Sequence, residues 1–409
     1  MLQVKERHLP LNLRQSGNTD AQVKITTRIR KGPYWHLAVK SGCWAFATYN
    51  HMYHPRAYVK PEDGGLMKEY EYITKDVTMW DVAVERQIQL KGPDAAAMVN
   101  HLITRDVHTK LPVNKARYVI LCNQHGGIIN DPVLLRVAED EFRFSISDSD
   151  VLLWTQGVNA SGRFNVDINE VDISPVQIQG PKSAQLMTKL FGPQVLEMKY
   201  YTIWQTYLDG LRVDISRTGF SAEVGFEIYL HNALANADEM WNKIMQAGEE
   251  FNLHVIAPSH IRRLEAGILS YGADMDIETN PFEVNLDWQL DFSKPDFIGK
   301  EALLGIKKRG ISQRLVGLRM QGTPLTWYTE DFYLVRDAKS FGEIGYISSA
   351  FYSPKLQSNI ALAMLPIKYT AVGTKVQAVL PADGPVDAEV VEVPFVDPSK
   401  TIPAQNLST

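Results

Sequence analysis

Glu227, Asp131 and Arg263 are the charged side chains whose sequence surroundings single them out for chemistry. Glu227 lies in Gly225-Phe226-Glu227-Ile228-Tyr229-Leu230, where Phe226, Ile228 and Leu230 alternate with Glu227 and Tyr229. That period of two is the pattern of a half-buried strand, so Glu227 is an acid held at a fixed place on its polar face. Gly219 and Gly225 bracket the polar loop before it, where backbone can approach without a Cβ in the way. Asp131 precedes Pro132, which cannot donate to a sheet ladder, so an acid stands where a strand is interrupted; a turn-forming Asp has the same signature. Arg263 follows the helix N-cap Ser259 and falls opposite Ile261, Leu264, Ile268 and Leu269. Four residues on is Gly267, and a mid-helix glycine costs roughly 1 kcal/mol against Ala, so chain or ligand is expected to pack closely there. A structural ion pair is the competing role for Arg263. The segment Tyr34 to His54 is rich in aromatics and His; ring faces attract a desolvated cation, although core packing explains the same composition. His51 and His54 lack a third His or an acid at metal-ligand spacing, so no metal is expected.

The elements that position these residues follow from periodicity. Met79 to Leu90 reads toward its end as a strand, and Asp94 as the cap of a helix through Ile103. Tyr118 to Leu135 reads as a hairpin turning at Asn123 to Gly127, and Phe142 to Ile146 as a further strand. Pro181 to Leu190 reads as a helix, and Val213 to Ser216 as the strand feeding the Glu227 stretch. Ala233 to Gly248 carries Leu234, Ala237, Met240, Trp241 and Ile244 on one helical stripe. From about Ser312 short strands punctuated by Gly and Pro predict a small β-barrel, with a boundary near Gly310, while residues up to about Thr27 read as an irregular leader.

A chain of 409 residues needs two or three packed units, and 45% apolar with 22% charged residues fits a globular enzyme. The net charge of -5 provides no basic footprint for nucleic acid. Cys43 and Cys122 are too few for a disulfide scaffold, Met1 to Gln15 lacks the apolar run of a signal peptide, and no window is long and apolar enough to span a membrane. A cytoplasmic protein with no nucleic-acid or membrane partner is expected.

Taken in order, several segments are recognisable together: Trp80-Asp81-Val82-Ala83-Val84-Glu85-Arg86-Gln87, Gly126-Gly127-Ile128-Ile129-Asn130-Asp131-Pro132-Val133, Gly225-Phe226-Glu227-Ile228-Tyr229, Arg263-Leu264-Glu265-Ala266-Gly267 and Asn280-Pro281-Phe282-Glu283. With Phe297-Ile298-Gly299-Lys300 and Pro394-Phe395-Val396-Asp397-Pro398 they run nearly end to end. The chain resembles the glycine-cleavage T-protein family of folate-dependent aminomethyltransferases, and within it the dimethylsulfoniopropionate demethylases. The resemblance implies an α+β fold, a three-domain cloverleaf around a tetrahydrofolate site. Residues 1–310 would form the folate-binding catalytic region of two interleaved α+β subdomains, and 311–409 the C-terminal β-barrel domain.

It also implies roles. Glu227 would grip the pterin, a carboxylate being able to accept two parallel hydrogen bonds from ring amino and imino donors. Arg263 and Tyr118 would add folate contacts, and Asp131 would be the catalytic acid near the reactive nitrogen. Asn130 stands where the aminomethyltransferases carry an acid, which argues for methyl rather than aminomethyl chemistry. The implied activity is transfer of a methyl group from a small donor, dimethylsulfoniopropionate first, to N5 of tetrahydrofolate; a sulfonium has a neutral leaving group and needs little acid catalysis. Trp35, Tyr53, Trp204 and Phe220 are the candidate donor-pocket walls, with Trp44, Tyr200 and Tyr201 beside them. The loop departs from the demethylase pattern Gly-Trp-Ser-Lys-Gln-Gly-Gly-Phe-Glu, reading Gly219-Phe220-Ser221-Ala222-Glu223-Val224-Gly225-Phe226-Glu227, which weakens the donor assignment while keeping Glu227. An aryl methyl ether is the alternative donor and would need a proton donor such as His36, His51, His54 or a Tyr. A non-catalytic folate-binding protein is the other alternative, although its Lys-Gly-Cys-Tyr-x-Gly-Gln-Glu motif is absent. A homodimer stands as one expected assembly.

Overall fold

Strands with two unlike faces organise the chain. The computed structural model describes residues 26–108 and 110–408, so the leader expected before Thr27, Thr26 and Thr27 apart, lies outside the described residues. A six-stranded sheet runs in the order Ile203–Leu208, Leu211–Ser216, Gly225–His231, Ile173–Gln179, Val77–Asp81, Leu253–Val255. Its pairings are antiparallel except the last. Phe226, Ile228 and Leu230 join Val176, Ile178, Val213 and Ile215 against the helices Ser183–Phe191 and Ala233–Gly248 through Leu186, Met187, Met240 and Trp241. The opposite face carries one row across four strands, Ser216, Glu227, Gln177 and Trp80, each paired in register with the next. Sequence alternation predicts a half-buried strand, but every residue from Gly225 to Leu230 is buried, because other parts of the chain cover the polar face as well.

Between Asp81 and Ile173 the chain leaves this sheet and builds a five-stranded antiparallel one, ordered Asp167–Glu170, Gln87–Lys91, Glu141–Ser145, Val133–Ala138, Lys115–Tyr118. The run Met79 to Leu90 is thus two strands on two sheets, turned apart between Val82 and Arg86. Asp94 occupies the N-cap of helix Ala95–Leu102, but its Oδ2 accepts from the Asn165 N–H at 2.8 Å rather than from the helix. The last six strands, from Gln313–Met320 to Gly384–Val391, close into a barrel around Leu318, Val335, Ile347 and Ala363.

The helix bearing Arg263 is shorter than expected. It spans His260–Glu265, with Ser259 Oγ accepting the Arg262 N–H at 3.3 Å, and Ile268 and Leu269 lie beyond it. Gly267 is therefore not a mid-helix residue: its φ of +64 turns the chain out of the helix, and a Cβ would meet Val393 of the barrel segment at 2.5 Å. The close neighbour is chain.

Gly219 and Gly225 make room for a side chain. An added Cβ at either would lie 2.2 Å from Gln179 Oε1. The Gln179 amide enters between them, donating to the carbonyls of Thr218 at 3.2 Å and Phe226 at 3.4 Å, and accepting the Ser221 hydroxyl at 2.6 Å. This wedge fixes the loop to the sheet. Gly225→Ala is expected to cost about 1–3 kcal/mol by overpacking. In a denaturation cycle with Gln179→Ala the two losses should be less than additive; strict additivity would refute the wedge.

Candidate functional site

The covered face of the six-stranded sheet is the floor of a cavity of about 910 Å³ whose wall draws on the two large sheets and the barrel, with Trp80, Gln177 and Glu227, then Tyr118, Val133 and Ser145, then Gly317, Ser349 and Leu362, and on the two-stranded sheet Ala45–Tyr49 with Met52–Ala57, which brings in Tyr49, His54 and Arg56. On the floor Gln177 Nε2 donates to Glu227 Oε1 at 3.0 Å and lies 3.3 Å from Glu85 Oε1, so one amide bridges two carboxyls. Its Oε1 accepts from the Phe220 N–H at 3.4 Å, which fixes the orientation of that amide. Glu227 Oε2 accepts from the Tyr229 hydroxyl and from Ser216 Oγ at 3.4 Å, and Glu85 Oε2 from Ser145 Oγ at 3.0 Å. Among the described residues no cation forms an ion pair with either acid. Burial raises both carboxyls above the usual range, and the charge of Glu227 pushes Glu85 higher still. Burial thus favours the neutral form of each carboxyl, and the pair offers acceptor oxygens to a ligand with adjacent N–H donors.

Asp131 stands where the chain changes ladders. Ile128–Asn130 pairs with Leu121–Cys122, and Val133–Ala138 with Lys115–Tyr118, so Pro132 falls at the join and no hydrogen bond is wasted. The Tyr118 hydroxyl donates to Asp131 Oδ2 at 2.9 Å, while Oδ1 is buried without a partner. Burial pushes this carboxyl up to about 7. Asn130 beside it is fully engaged elsewhere: its Nδ2 donates to Ser147 O at 2.9 Å and Ser149 Oγ at 2.8 Å, and its Oδ1 accepts the Ser147 N–H at 3.0 Å. It holds the loop that brings Ser147 and Asp148 into the cavity wall.

Arg263 also lines the cavity, but its guanidinium is committed to the chain. Nη1 donates to Asp274 Oδ2 at 2.6 Å and Ile268 O at 3.1 Å, and Nη2 to Ser349 Oγ at 2.7 Å; Nε is buried without a partner. Its neighbour Arg262 ties the Glu227 loop down, Nη2 to Glu223 Oε1 at 2.7 Å and Nη1 to Glu265 Oε2 at 2.6 Å. The Glu223 that departs from the demethylase pattern is thus a buried anchor.

Of the expected donor walls, Phe220, Tyr200 and Tyr201 line the cavity and Trp35, Tyr53 and Trp204 do not. Consecutive strand residues point to opposite faces, so where His54 faces inward Tyr53 faces outward and packs on Trp35 and Phe46. Trp204 pairs with Ile215, on the helix side of the sheet, and meets Phe191 edge-on. Trp44 stacks on Trp327. His36 and His51 are exposed beside Asp238 and Asp150, leaving His54 as the cavity histidine of those three. Among the described residues no three His, Cys, Asp or Glu side chains could share a metal ion, and no helix is long and apolar enough to cross a membrane. Glu85, Gln177, Tyr49, Arg56 and His260 are cavity residues that sequence reasoning assigned no role. The available signal was Gln177 and Gln179 alternating with Val176 and Ile178, a polar row on a strand with an apolar other face.

Residues 35–294 match the family profile described as the GCVT N-terminal domain, and residues 313–397 that of the glycine cleavage T-protein C-terminal barrel domain. The chain is 30% identical over 361 residues to the dimethylsulfoniopropionate demethylase DmdA of Ruegeria pomeroyi, covering 88% of this chain and 96% of that protein. It is 33% identical over 337 residues to the aminomethyltransferase of Thermotoga maritima, covering 81% and 89%. The fold matches the crystal structure of glycine cleavage system aminomethyltransferase T from Bartonella henselae with a TM-score of 0.79 at 23% identity, over 90% of this chain and 98% of that one.

Glu223→Ala, which strips Arg262 of one of two carboxylates, is expected to cost about 3 kcal/mol in denaturant unfolding. Glu223→Gln keeps an acceptor and should cost clearly less. Equal losses would show that the carboxylate does not anchor the loop.

Proposed function

The chain belongs to the glycine cleavage T-protein family of tetrahydrofolate-dependent transferases, and we propose that it moves a methyl group from a small donor to N5 of tetrahydrofolate. The observation that carries this reading is the shared cavity of Glu85, Glu227 and Asp131: two acceptor carboxyls without a cation, and a third with one unpartnered oxygen. That donor-poor floor suits a pterin, whose ring presents adjacent amino and imino N–H groups, and about 910 Å³ is room for a folate and a small donor. When bound, tetrahydrofolate supplies the amine nitrogen that accepts the methyl group.

The chain's own residues supply position and proton traffic. Glu227 and Glu85, held by Gln177, Ser216, Tyr229 and Ser145, orient the ring by hydrogen bonds in a site of low dielectric. Asp131 takes up the proton released as the methyl group is transferred, and Tyr118 keeps its carboxyl aimed. Phe220, Tyr200 and Tyr201 exclude water from the wall. Arg263 serves by bracing the barrel against the helix His260–Glu265 through Ser349, and by holding Asp274.

Likeness to DmdA supports dimethylsulfoniopropionate as the donor. A second reading, an aryl methyl ether, is favoured by the ring cluster of His260 with Phe220 at 6.5 Å, Tyr328 at 5.0 Å and Phe351 at 6.4 Å, all lining the cavity. A phenolate leaving group would draw its proton from a cavity tyrosine such as Tyr49. Incubating the protein and tetrahydrofolate with sulfonium, ammonium and aryl ether donors, and following 5-methyltetrahydrofolate by mass, separates the readings. Folate binding with no turnover of any donor would leave a binding protein instead.

Two variants test the roles. Glu227→Ala is expected to weaken tetrahydrofolate binding by about 10- to 100-fold, the range for hydrogen bonds to a charged group; unaltered affinity would remove Glu227 from the folate site. Because the Asp131 pKa is raised to about 7 in the unliganded protein and its anion is the working form, kcat/KM should climb as pH rises through about 7 and level off above it. Asp131→Asn should lose that limb and about 100-fold or more in rate. A limb that survives the substitution would assign the proton step to another group.

A further inference from the structure

Arg56, in the cavity wall, differs from the most deeply buried arginines of the chain. Arg86, Arg136, Arg143, Arg262 and Arg263 each meet a carboxylate within 2.7 Å. Arg217 is capped by the carbonyls of Met198, Pro403 and Gln405. Arg56 lines the cavity, yet among the described residues its guanidinium makes one hydrogen bond, Nη1 to His260 Nε2 at 2.8 Å, and no ion pair. The guanidinium carbon lies 3.9 Å from the centroid of the Tyr328 ring, and the Tyr328 hydroxyl donates back to Arg56 O at 2.7 Å. Stacking and the backbone bond together fix the plane of the fork.

The groups around it add no negative charge. His54 and His260 are both held well below the ordinary histidine range, by burial first and then by Arg56 itself, so neither competes as a cation and neither neutralises. Arg263, also nearby, is already paired with Asp274. His54 is 6% exposed, and its Nδ1 is buried with no partner, a second polar atom in this corner that the chain leaves unsatisfied. A cation withdrawn from water without a counter-charge is costly. An anion entering the cavity would relieve that cost.

Resting on the methyl-transfer reading above, we propose that Arg56 forms the carboxylate subsite of the methyl donor, so that the donor is an organic acid. Arg56 takes the carboxylate on its free N–H groups, with His54 Nδ1 as an added contact, while the methyl end points toward Asp131. Tyr49 is near both: its ring centroid is 5.3 Å from that of His54, and its hydroxyl is raised by burial and by the charge of Asp131. Sulfonium acids and methoxybenzoic acids satisfy the requirement; their amides and uncharged parents do not. The competing source of a carboxylate is the glutamate tail of the folate.

The experiment measures binding, so it does not depend on turnover. Calorimetry on the tetrahydrofolate-loaded protein is run with 3-(methylthio)propionate, 3-methoxybenzoate and the amide of each, on wild type, Arg56→Met and Arg56→Lys. At least one acid should bind wild type about tenfold or more tightly than its amide. Arg56→Met should erase that preference and Arg56→Lys restore part of it, with tetrahydrofolate affinity within twofold in all three; normal folate binding also reports that the variants fold. Two results overturn the proposal: wild type that does not prefer either acid to its amide, or an Arg56→Met protein that keeps the preference and loses folate affinity, which would give Arg56 to the glutamate tail. Acids bound through Arg56 with no methyl transferred from any donor would sink the methyl-transfer reading and leave the subsite standing.

Discussion

Two carboxyls, Glu85 and Glu227, share one amide and no cation at the bottom of a cavity. In water both members of such a pair would ionise; here burial favours the neutral form of each while one amide holds them together. Burying it requires cover on the polar face of the six-stranded sheet, and the five-stranded sheet, the barrel and the two-stranded sheet Ala45–Tyr49 with Met52–Ala57 all contribute to that cover. This arrangement is thus the means of burying an acidic floor that one sheet with helices on its back would leave in solvent. The helices at Ser183–Phe191 and Ala233–Gly248 are ordinary core by comparison, and any well-packed amphipathic pair would serve.

The loop from Gly219 to Val224 shows how the floor and the wall are made to depend on each other. Gln179 pins it from below, Phe220 N–H orients Gln177 from within, and Glu223 ties it through Arg262 to the helix His260–Glu265. A loop held at three points presents Phe220 to the cavity as a rigid surface rather than an adaptable one. The four side chains that differ from the demethylase pattern therefore divide by job: Glu223 anchors, Phe220 shapes the wall, Ala222 lines the cavity without a polar group, and Val224 packs into the core.

Much of this was legible in the sequence. Alternation placed Glu227 on a strand's polar face, and Pro132 marked the ladder change that isolates Asp131, because both signals are local. Short strands after Ser312 announced the barrel for the same reason. The donor wall was not legible. Trp35, Tyr53 and Trp204 have the right chemistry and face the wrong way, and which face of a strand looks into a cavity is decided by tertiary packing rather than by composition. Gly267 misled because a left-handed turn and a close helix contact leave the same residue in the sequence. Arg56 was invisible because its distinction is the lack of a carboxylate partner among the described residues, which only the folded chain reveals.

The row Ser216, Glu227, Gln177 and Trp80 is collected from four strands, and the middle of the chain intervenes between Trp80 and the others. Such long-range pairings give the fold a high contact order, and loop closure must be met before any of them rewards it. During synthesis Val77–Asp81 emerges well before Ile173–Gln179, its neighbour on one side, and Leu253–Val255, its neighbour on the other. An unpaired hydrophobic strand in a growing chain invites misassociation. The acidic floor needs every strand from Val77–Asp81 to Gly225–His231, so a chain that has not yet reached Gly225–His231 lacks Glu227 and with it the capacity to hold a ligand there.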